Sequence, residues 1–329
     1  MSKKPTVADF FAGIGGIRLG FEQAGFDAVY SNEIDDFCGI TYKENFGIDP
    51  KGDITKINAE ELPDFDVFVG GFPCQAFSIA GRKLGFDDTR GTLFFDVARI
   101  LKTKRPKAFL LENVKNLEGH EHGNTIKVIL RALRAELDYN VSYAVLNAKD
   151  YGVPQNRERI YIVGFRKDVF DGMFPFPGPS KRSKLASILE KNVPLKYFIS
   201  KKRLAGMKKH RARHEAMGHG FGYEVLDPEK TAKAIVVGGM GRERNLIKDC
   251  GSLRKHEGDA GFEAKNDECL RYLTPREYAR LQGFPDSFKI PVSNAQAYKQ
   301  FANSVAVPVI VAIAKEMRKE LVSSKKQTD

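Results

Sequence analysis

The chain has 329 residues, of which 42% are hydrophobic and 24 are Phe, so it is long enough for one large domain and a smaller one, each with a core. No apolar run approaches the roughly 20 residues that a membrane helix needs, and the N-terminal MSKKPTVADFF lacks the apolar stretch of a signal peptide, so we expect a soluble, cytoplasmic protein. The formal net charge is +11, and residues 180–260 account for +10 of it, with 19 Lys and Arg and 9 Asp and Glu. This concentration of positive charge suits a polyanionic partner, and a solvated basic surface is an equal alternative.

Short apolar runs alternate with amphipathic stretches over the first 166 residues. The runs typical of strands are TVADFF, AVYSNE, DVFVGGFP, AFLLENV, YNVSYAVLNA and ERIYIVGFR. The stretches with apolar residues at helical spacing are GIRLGFEQAG, DDFCGITYKENF, TLFFDVARILKTK and NTIKVILRALRAEL. Strands that alternate with helices predict an α/β fold with a doubly wound, mostly parallel sheet. Ligands on such a sheet bind beyond the carboxyl ends of its strands.

A glycine-rich turn follows the first predicted strand, in the sequence DFFAGIGGIRLGF of residues 9–21. Gly13, Gly15 and Gly16 would let the backbone approach a ligand closely at the start of a helix. Glu33 ends the next predicted strand, about 20 residues on, where a carboxylate can bind ribose hydroxyls. The pattern favours a nucleotide site, and a tight structural turn is the alternative.

A cysteine lies just past the third predicted strand, in GGFPCQAFSIAG of residues 70–81. Cys74 is therefore at a strand end, where ligands bind, although a buried structural cysteine is the alternative. Because the thiolate is the working nucleophile, a helix N-terminus or a cation must lower the pKa of such a thiol. The other cysteines (Cys38, Cys250 and Cys269) show no CxxC spacing, which argues against a zinc site, and so few thiols indicate a reducing compartment.

Charged residues mark two further predicted strands. Glu112 directly follows the apolar run AFLL, where poor solvation would raise its pKa and make it a candidate general acid; a carboxylate that caps the following loop is the alternative. Arg157 and Arg159 alternate with apolar residues in QNRERIYIVGF, so both would point to one face of a strand. Two guanidinium groups there suit a carboxylate or phosphate, with a structural salt bridge as the alternative.

The alternation ends near residue 174, at FPFPGPSKRSK, which is the strongest candidate for a domain boundary. Residues 180–270 are then rich in Lys, Arg, His and Gly. Order returns in RYLTPREYARLQGF, which predicts a helix with Thr274 as its N-cap and Pro275 at its first position. A last apolar helix is predicted to begin near Val307.

Together these motifs resemble the DNA (cytosine-5)-methyltransferases of prokaryotic restriction–modification systems. The resemblance covers nearly the whole chain and follows the family's order: DFFAGIGG, GGFPCQAFS, LENV, QNRERIYIVGF, RYLTPREYARLQGFPD and AYKQFANSV. The Pro-Cys pair and the Glu-Asn-Val triplet are the family's signature. Only residues 180–270 show no match, and they correspond to its variable target-recognition region.

The resemblance implies a Rossmann-like methyltransferase sheet with a second, smaller target-recognition domain. We therefore expect a catalytic and cofactor-binding domain over residues 1–178, completed by 293–329, and a basic target-recognition domain over 179–292. The resemblance also implies S-adenosyl-L-methionine as the methyl donor, with Glu33 at the ribose and Asp53 at the adenine amine. The residues expected to line the cofactor site are Phe11, Gly13, Gly15, Glu33, Ile34, Asp53, Ile54, Pro73, Leu93 and Asn303.

For the reaction, the resemblance implies that Cys74 attacks carbon 6 of cytosine while Glu112 binds ring nitrogen 3. Arg159 would orient Glu112 or hold the base, and Arg157 would help to place the substrate. Because stacking blocks the attack, the cytosine must flip out of the duplex. The candidates to close over the flipped base are Gln75 and Ser78. The candidate base readers are Arg242, Arg244 and Asn245, since Arg suits guanine edges and Asn suits adenine, with phosphate contact alone as the alternative.

We expect a monomer that binds double-stranded DNA, holds no metal and protects host DNA from a cognate restriction enzyme. Three other functions stay open. An RNA cytosine methyltransferase of the same fold is not excluded by charge. An inactive DNA-binding protein on this scaffold is disfavoured by the intact Cys74 and Glu112. A nicotinamide dehydrogenase would share the glycine turn but has no use for the Pro-Cys loop.

Overall fold

The structure, a computed structural model, describes residues 4–50, 52–73, 93–238 and 241–323. The chain divides into two compact units. The first unit comprises Met1–Asn147, Glu158–Pro179 and Val307–Asp329, and the second comprises Ala148–Arg157 and Ser180–Ala306.

The first unit contains six strands and five α-helices among its described residues. They are β1 (Thr6–Phe10), α1 (Gly16–Gln23), β2 (Asp27–Asn32), α2 (Asp36–Phe46), β3 (Val67–Gly71), α3 (Leu93–Lys104), β4 (Ala108–Val114), α4 (Asn124–Arg131), β5 (Tyr139–Asn147), β7 (Glu158–Arg166) and α9 (Val307–Ser323). The predicted alternation of strands and helices is therefore confirmed over this part of the chain, and so is the last helix from Val307.

The six strands form one sheet in the order β2-β1-β3-β4-β7-β5. β1 pairs parallel with β2 and β3, and β3 pairs parallel with β4. β7 runs antiparallel to both β4 and β5, while the other five strands share one direction, so the sheet is mixed but mostly parallel, as predicted, and β7 is its one reversed strand. The physical reason is the connection: residues 148–157 between β5 and β7 contain no α-helix to carry the chain back for a parallel pairing.

Aromatic packing and one close helix contact hold this unit together. Phe10 stacks on Phe68 with 4.4 Å between ring centroids, and both side chains are fully buried. α1 packs on α9 at Gly20, where an added Cβ would lie 2.5 Å from Cγ2 of Ile310. These contacts fix β1 and the start of α1, between which the glycine turn lies.

The described strands of the second unit are only two or three residues long, and its helices vary in length. These strands and helices are β6 (Gln155–Asn156), α5 (Lys201–Ala216), β8 (Ala232–Lys233), β9 (Leu246–Lys248), α6 (Cys250–Arg254), β10 (Leu270–Tyr272), α7 (Pro275–Leu281) and α8 (Asn294–Asn303). β6 pairs with β8, and β9 pairs with β10. Because β6 pairs inside this unit and Tyr298 of α8 packs on Tyr278 of α7, residues 148–157 and 293–306 belong here, whereas the sequence analysis placed them in the first domain.

The predicted cap of α7 is confirmed. Thr274 accepts a hydrogen bond from the Glu277 backbone at 3.1 Å, and the Glu277 carboxylate accepts one from the Thr274 backbone at 2.8 Å, with Pro275 at the first helical position. The Glu277 carboxylate also receives two hydrogen bonds of 2.8 Å from Arg271, whose Nε donates to Asp249 at 2.8 Å. Because Arg271 and Glu277 are almost completely buried, this pairing satisfies charges that water cannot reach.

A disulfide joins Cys250, at the start of α6, to Cys269, just before β10, with a Cα–Cα distance of 4.9 Å. The two cysteines are 19 residues apart and in no recognisable spacing, so the sequence does not predict the pair. Over the described ranges, no group of three or more His, Cys, Asp or Glu could hold a metal ion. Residues 294–323 are long and apolar enough for a membrane span, but 67% of their apolar window is buried within the protein, as in a core helix.

Candidate active site

The glycine turn after β1 is held by a carboxylate from the end of β2. Oε2 of Glu33 accepts a hydrogen bond from the Gly13 backbone at 2.7 Å, and Oε1 accepts one from the Asp35 backbone at 2.8 Å. Phe11, which begins the turn, has φ 52°, a left-handed conformation that costs a non-glycine residue about 1 kcal/mol or more. The turn therefore holds strain beside a carboxylate, as functional turns often do.

Two of the three glycines that were expected to approach a ligand differ in their surroundings. Gly13 has φ 54°, and no heavy atom lies within 4 Å of the position that its Cβ would occupy. Gly15 has φ 83°, and its Cβ would lie 2.2 Å from the ring of Phe46 on α2. Gly13 thus faces open space, whereas Gly15 is required by the packing of α1 on α2.

The other residues expected at the cofactor lie in varied environments. Ile34, directly after Glu33, is 72% exposed, but Ile54 is only 4% exposed and packs in the core. Asp53 caps a short 3-10 turn and accepts hydrogen bonds from the backbone and hydroxyl of Thr55 at 3.0 and 2.8 Å, which lower its pKa. The Ile54 side chain therefore presents little surface to a ligand, and its place at the cofactor stays a prediction.

Pro73, Leu93 and Asn303 complete that expected set. Pro73 is exposed after β3, and Leu93 is half-buried at the start of α3. Asn303 ends α8 in the second unit with an exposed side chain. An exposed amide at this position is compatible with ligand contact.

The carboxylate of Glu112 lies at the edge of the sheet where β3 and β4 end. Glu112 is in register with Gly71 of β3 on one side and with Tyr161 of β7 on the other. Nε of Arg159 lies 3.2 Å from Oε1 of Glu112, and both side chains are largely buried. The structure thus brings these two predicted residues together, with the guanidinium placed to hold the Glu112 carboxyl in one orientation.

Gly71 makes room for this carboxylate. An added Cβ at Gly71 would lie 3.1 Å from Oε2 of Glu112, so a larger residue would press on the carboxylate. This glycine lies two residues before Pro73, and the sequence analysis had no pattern that distinguished it from a turn glycine.

Asn113 fixes the start of the loop that carries the cysteine. Its Nδ2 donates to the carbonyl oxygen of Phe72 at 2.8 Å, its Oδ1 accepts from the Val114 backbone at 2.8 Å, and it is 3% exposed. Cys74, Gln75 and Ser78 lie outside the described residues, but Phe72 is only two residues before Cys74. The sequence analysis quoted Asn113 in LENV without giving it a role; its position beside Glu112 at a strand end was the available signal.

We expect Asn113→Ala to reduce the methyl-transfer kcat by about 10- to 100-fold, because a loop displaced by about 1 Å can cost two orders of magnitude. The KM for DNA should change far less, since Asn113 is buried and cannot touch DNA. Asn116→Ala, an exposed neighbour on the same segment, is the control. Steady-state kinetics of both variants test this, and equal kcat values for Asn113→Ala and wild type would show that the hydrogen bond to Phe72 does not position the loop.

Arg157 does not share the strand of Arg159. It precedes β7, belongs to the second unit and is 3% exposed. Its guanidinium donates to three backbone carbonyl oxygens, those of Ile235 at 3.0 Å, Ala302 at 2.9 Å and Ser304 at 2.7 Å. The expected alternation of two guanidiniums on one strand face is therefore wrong, because tertiary partners bind Arg157 inside the second unit.

The three candidate base readers differ in their exposure to solvent. Arg242 and Arg244 are exposed, and the Arg242 guanidinium lies 5.3 Å from the ring centre of Tyr272 and 5.1 Å from that of Tyr298. Asn245 is 1% exposed, and its Oδ1 accepts from the Lys233 backbone at 3.0 Å. A buried side chain cannot reach a base edge, so the expectation for Asn245 is corrected, while Arg242 and Arg244 stay candidates.

A buried acid under the glycine turn was not anticipated. Asp9 of β1 is 0% exposed, and its carboxyl makes no well-formed hydrogen bond among the described residues, although the Arg18 backbone approaches it. Burial raises the pKa of Asp9 to about 8, against the opposing charge of Arg18; Glu33 and Glu22 add smaller increases. Asp9 is therefore largely protonated at neutral pH.

This burial predicts a pH dependence of stability. Because the pKa of Asp9 is raised from 3.8 to about 8 on folding, its contribution to stability is complete below pH 4 and is lost as pH rises to 8, at up to roughly 1.4 kcal/mol per pH unit. Asp9→Asn cannot ionise, so its free energy of unfolding should fall less steeply between pH 4 and 8. Urea unfolding across this range tests the slope, with the exposed Asp27→Asn as control; parallel curves for Asp9→Asn and wild type would exclude a raised pKa.

Comparison with known proteins gives matches along nearly the whole chain. The family model of C-5 cytosine-specific DNA methylases matches residues 6–319. The Type II methyltransferase M.HpaII of Haemophilus parainfluenzae is 51% identical over 98% of this chain and 91% of its own length. M1.ScrFI of Lactococcus lactis subsp. cremoris, also a Type II methyltransferase, is 51% identical over 98% of this chain and 80% of its own length.

Two solved structures are similar in fold. A Spodoptera frugiperda DNMT2 mutant has a TM-score of 0.70 at 22% identity and covers 97% of this chain and 100% of its own. The Entamoeba histolytica methyltransferase EhMeth has a TM-score of 0.72 at 19% identity, with coverage of 98% and 99%. At these identities the likeness concerns the fold alone, and it confirms the expected α/β methyltransferase architecture.

Proposed function

The chain belongs to the family of C-5 cytosine-specific DNA methylases and is a DNA (cytosine-5)-methyltransferase related to Type II restriction–modification enzymes, and from this we propose its detailed function. It transfers a methyl group from S-adenosyl-L-methionine to carbon 5 of a flipped-out cytosine within a specific sequence of duplex DNA. It works as a monomer in the cytoplasm and protects host DNA from a cognate restriction endonuclease.

The observation that carries the proposal is the arrangement at the ends of β3 and β4. The Glu112–Arg159 ion pair, with 3.2 Å between Nε and Oε1, lies next to the strand end from which the Cys74 loop departs. Asn113 holds that departure point through the Phe72 carbonyl. A carboxylate and a nucleophile loop at one sheet edge are what covalent activation of a pyrimidine requires.

The residues of the glycine turn fit the methyl donor. The open space at Gly13 admits a ligand close to the backbone, and the Glu33 carboxylate beside it has further lone pairs for ribose hydroxyls. Ile34, 72% exposed next to Glu33, offers an apolar surface for the adenine ring, and Asp53 has a second carboxylate oxygen for the adenine amine. When bound, S-adenosyl-L-methionine supplies an electrophilic methyl group.

The protein's own groups activate the cytosine. The Cys74 thiolate attacks carbon 6, forming a sulfur–carbon bond and pushing negative charge into the ring. Glu112, carrying a proton at this stage, donates a hydrogen bond to ring nitrogen 3 and stabilises that charge, while Arg159 holds the Glu112 carboxyl in place. Carbon 5 becomes nucleophilic and takes the methyl group, for which the donor would leave as S-adenosyl-L-homocysteine. A base, assigned here to water, then removes the carbon-5 proton, the sulfur–carbon bond breaks, and Cys74 leaves as the thiolate while the ring is restored.

Recognition of the sequence is assigned to exposed cations of the second unit. The Arg242 guanidinium lies close to two tyrosine rings, which restrict its side chain. Arg242 therefore loses less conformational entropy on binding a guanine edge. Arg244 is exposed nearby. Attack at carbon 6 requires the cytosine to leave the stack, at a cost of a few kcal/mol. Gln75 and Ser78 are assigned to closing over the flipped base.

Bisulfite sequencing of the DNA of a bacterial host that carries the gene tests this function. We expect cytosines of one short sequence to be protected from conversion, and no protection with the Cys74→Ser gene as the control. Complete conversion with the wild-type gene would contradict the proposal. Methyl transfer to purified duplex DNA and RNA in parallel separates it from an RNA methyltransferase, which would label RNA preferentially.

A further inference from the structure

Helix α5 is the most basic element of the second unit. Its 16 residues, KKRLAGMKKHRARHEA, contain seven Lys and Arg and one Glu. Ser200 caps its N-terminus by accepting a hydrogen bond from the Arg203 backbone at 3.1 Å. Leu204 and Met207 are buried and pack in a cluster with Ile199, Leu246 and Leu270, so one side of the helix is fixed on the core.

Four of the seven cations form ion pairs with acidic residues. These pairs are Lys201–Asp267, Arg203–Glu243, Lys208–Glu268 and Arg211–Glu215. Arg211 also lies 5.6 Å from the ring centre of Tyr223. These four charges are thus largely neutralised by the protein itself.

The other three cations lie along one line of the helix. Lys202, Lys209 and Arg213 are separated by seven and four residues, so at 100° per residue they fall within about 40° of one another. This line is opposite Leu204 and Met207, and all three side chains are exposed. None of the three forms an ion pair with any residue in the described part of the chain.

The length and shape of this line suit a phosphate backbone. At 1.5 Å per residue it is about 16 Å long, and a DNA strand lying alongside it presents about five phosphates over that length. Gly206 lies on the same side of the helix and has no heavy atom within 4 Å of its Cβ position. No side chain at this residue would therefore keep a DNA backbone away from the middle of the line. A solvated surface has no need to leave its three cations without ion pairs in one row.

We propose that Lys202, Lys209 and Arg213 form a contact surface for the sugar–phosphate backbone of duplex DNA. The surface binds phosphates whatever the sequence and positions the second unit on the duplex, while Arg242 and Arg244 read the bases. This inference rests on the proposed function, because it requires DNA as the partner.

The test compares two triple variants with equal loss of charge. The first, K202Q/K209Q/R213Q, removes the line, and the control, K201Q/K208Q/R211Q, removes ion-paired cations from the same helix. Equilibrium binding to duplexes with and without the target sequence is measured between 50 and 200 mM salt. Each lost phosphate contact lowers the slope of log K against log salt by about 0.9.

For K202Q/K209Q/R213Q we expect a slope lower by about 2.7 on both duplexes, so that wild type loses about 40-fold more affinity than this variant over the salt range. The control should change the slope by less than about 1. A wild-type slope in the first variant, or an equal effect of both variants, overturns the inference. Wild-type protein that methylates no DNA would instead refute the proposed function, so the two failures are distinguishable. Thermal melting confirms that both variants fold.

Discussion

Cys74→Ser is expected to abolish methyl transfer, with a fall of roughly 1000-fold or more, while DNA binding is retained. The thiolate is the attacking species, and a serine hydroxyl is far less ionised near neutral pH. The loop that carries Cys74 begins at Phe72, whose carbonyl is bound by Asn113, and serine at residue 74 leaves that hydrogen bond intact. Transfer of tritiated methyl groups and gel retardation measure the two properties on one preparation.

Cys38→Ser, on α2, is the matched control and should keep wild-type activity. The control shows whether a loss of activity comes from the chemistry of residue 74 or from the removal of any thiol. Near-normal transfer by the Cys74→Ser variant would remove Cys74 as the nucleophile and, with it, the covalent route.

Glu112→Gln is expected to slow single-turnover transfer by about 100- to 1000-fold, equivalent to about 2.7–4 kcal/mol. Glutamine keeps a hydrogen-bond donor of similar shape but cannot deliver a proton to ring nitrogen 3. It also loses the ion pair with Arg159, so the guanidinium no longer holds the carboxyl in one orientation. The methyl donor is bound by other groups, with Glu33 already fixed to the glycine turn, so its dissociation constant should change little.

Glu118→Gln, an exposed acid on the segment after β4, removes the same charge and serves as the control. Single-turnover rates and titrations with the methyl donor test both halves of the expectation. A rate within about threefold of wild type would make the Glu112–Arg159 pair structural and assign the proton donor to another group.

Much of the first unit could be predicted because its signals are local. Alternating apolar runs predict the strands that end at Phe10, Gly71 and Val114. In the second unit the Thr274 cap with Pro275 after it is predicted for the same reason, because its signal lies in adjacent residues. The rule that strand ends share one edge placed Glu112 near the Cys74 loop. Its contact with Arg159 follows from the antiparallel register, in which Arg159 is two residues from the partner of Glu112.

The errors concern residues whose environment depends on distant partners. The sequence places Arg157 on one strand face with Arg159. In the structure its guanidinium is buried against backbone carbonyl groups that lie 78 to 147 residues away. The position of Asn245 beside two arginines predicts a base reader. In the structure its amide oxygen accepts a hydrogen bond from the Lys233 backbone. The protonated Asp9 is equally invisible, since nothing in DFFAGIGG shows which side chain points into the core.

The most direct measurement of the central claim is covalent trapping on duplex DNA that contains 5-fluorocytosine at the target position. Fluorine cannot leave as a cation, so the enzyme should stall after methylation with the Cys74 sulfur bonded to carbon 6. With S-adenosyl-L-methionine present, we predict a shifted band on a denaturing gel and a cross-linked peptide that contains Cys74. No shifted band on DNA of the correct target sequence, or a cross-link through another residue, would contradict the account.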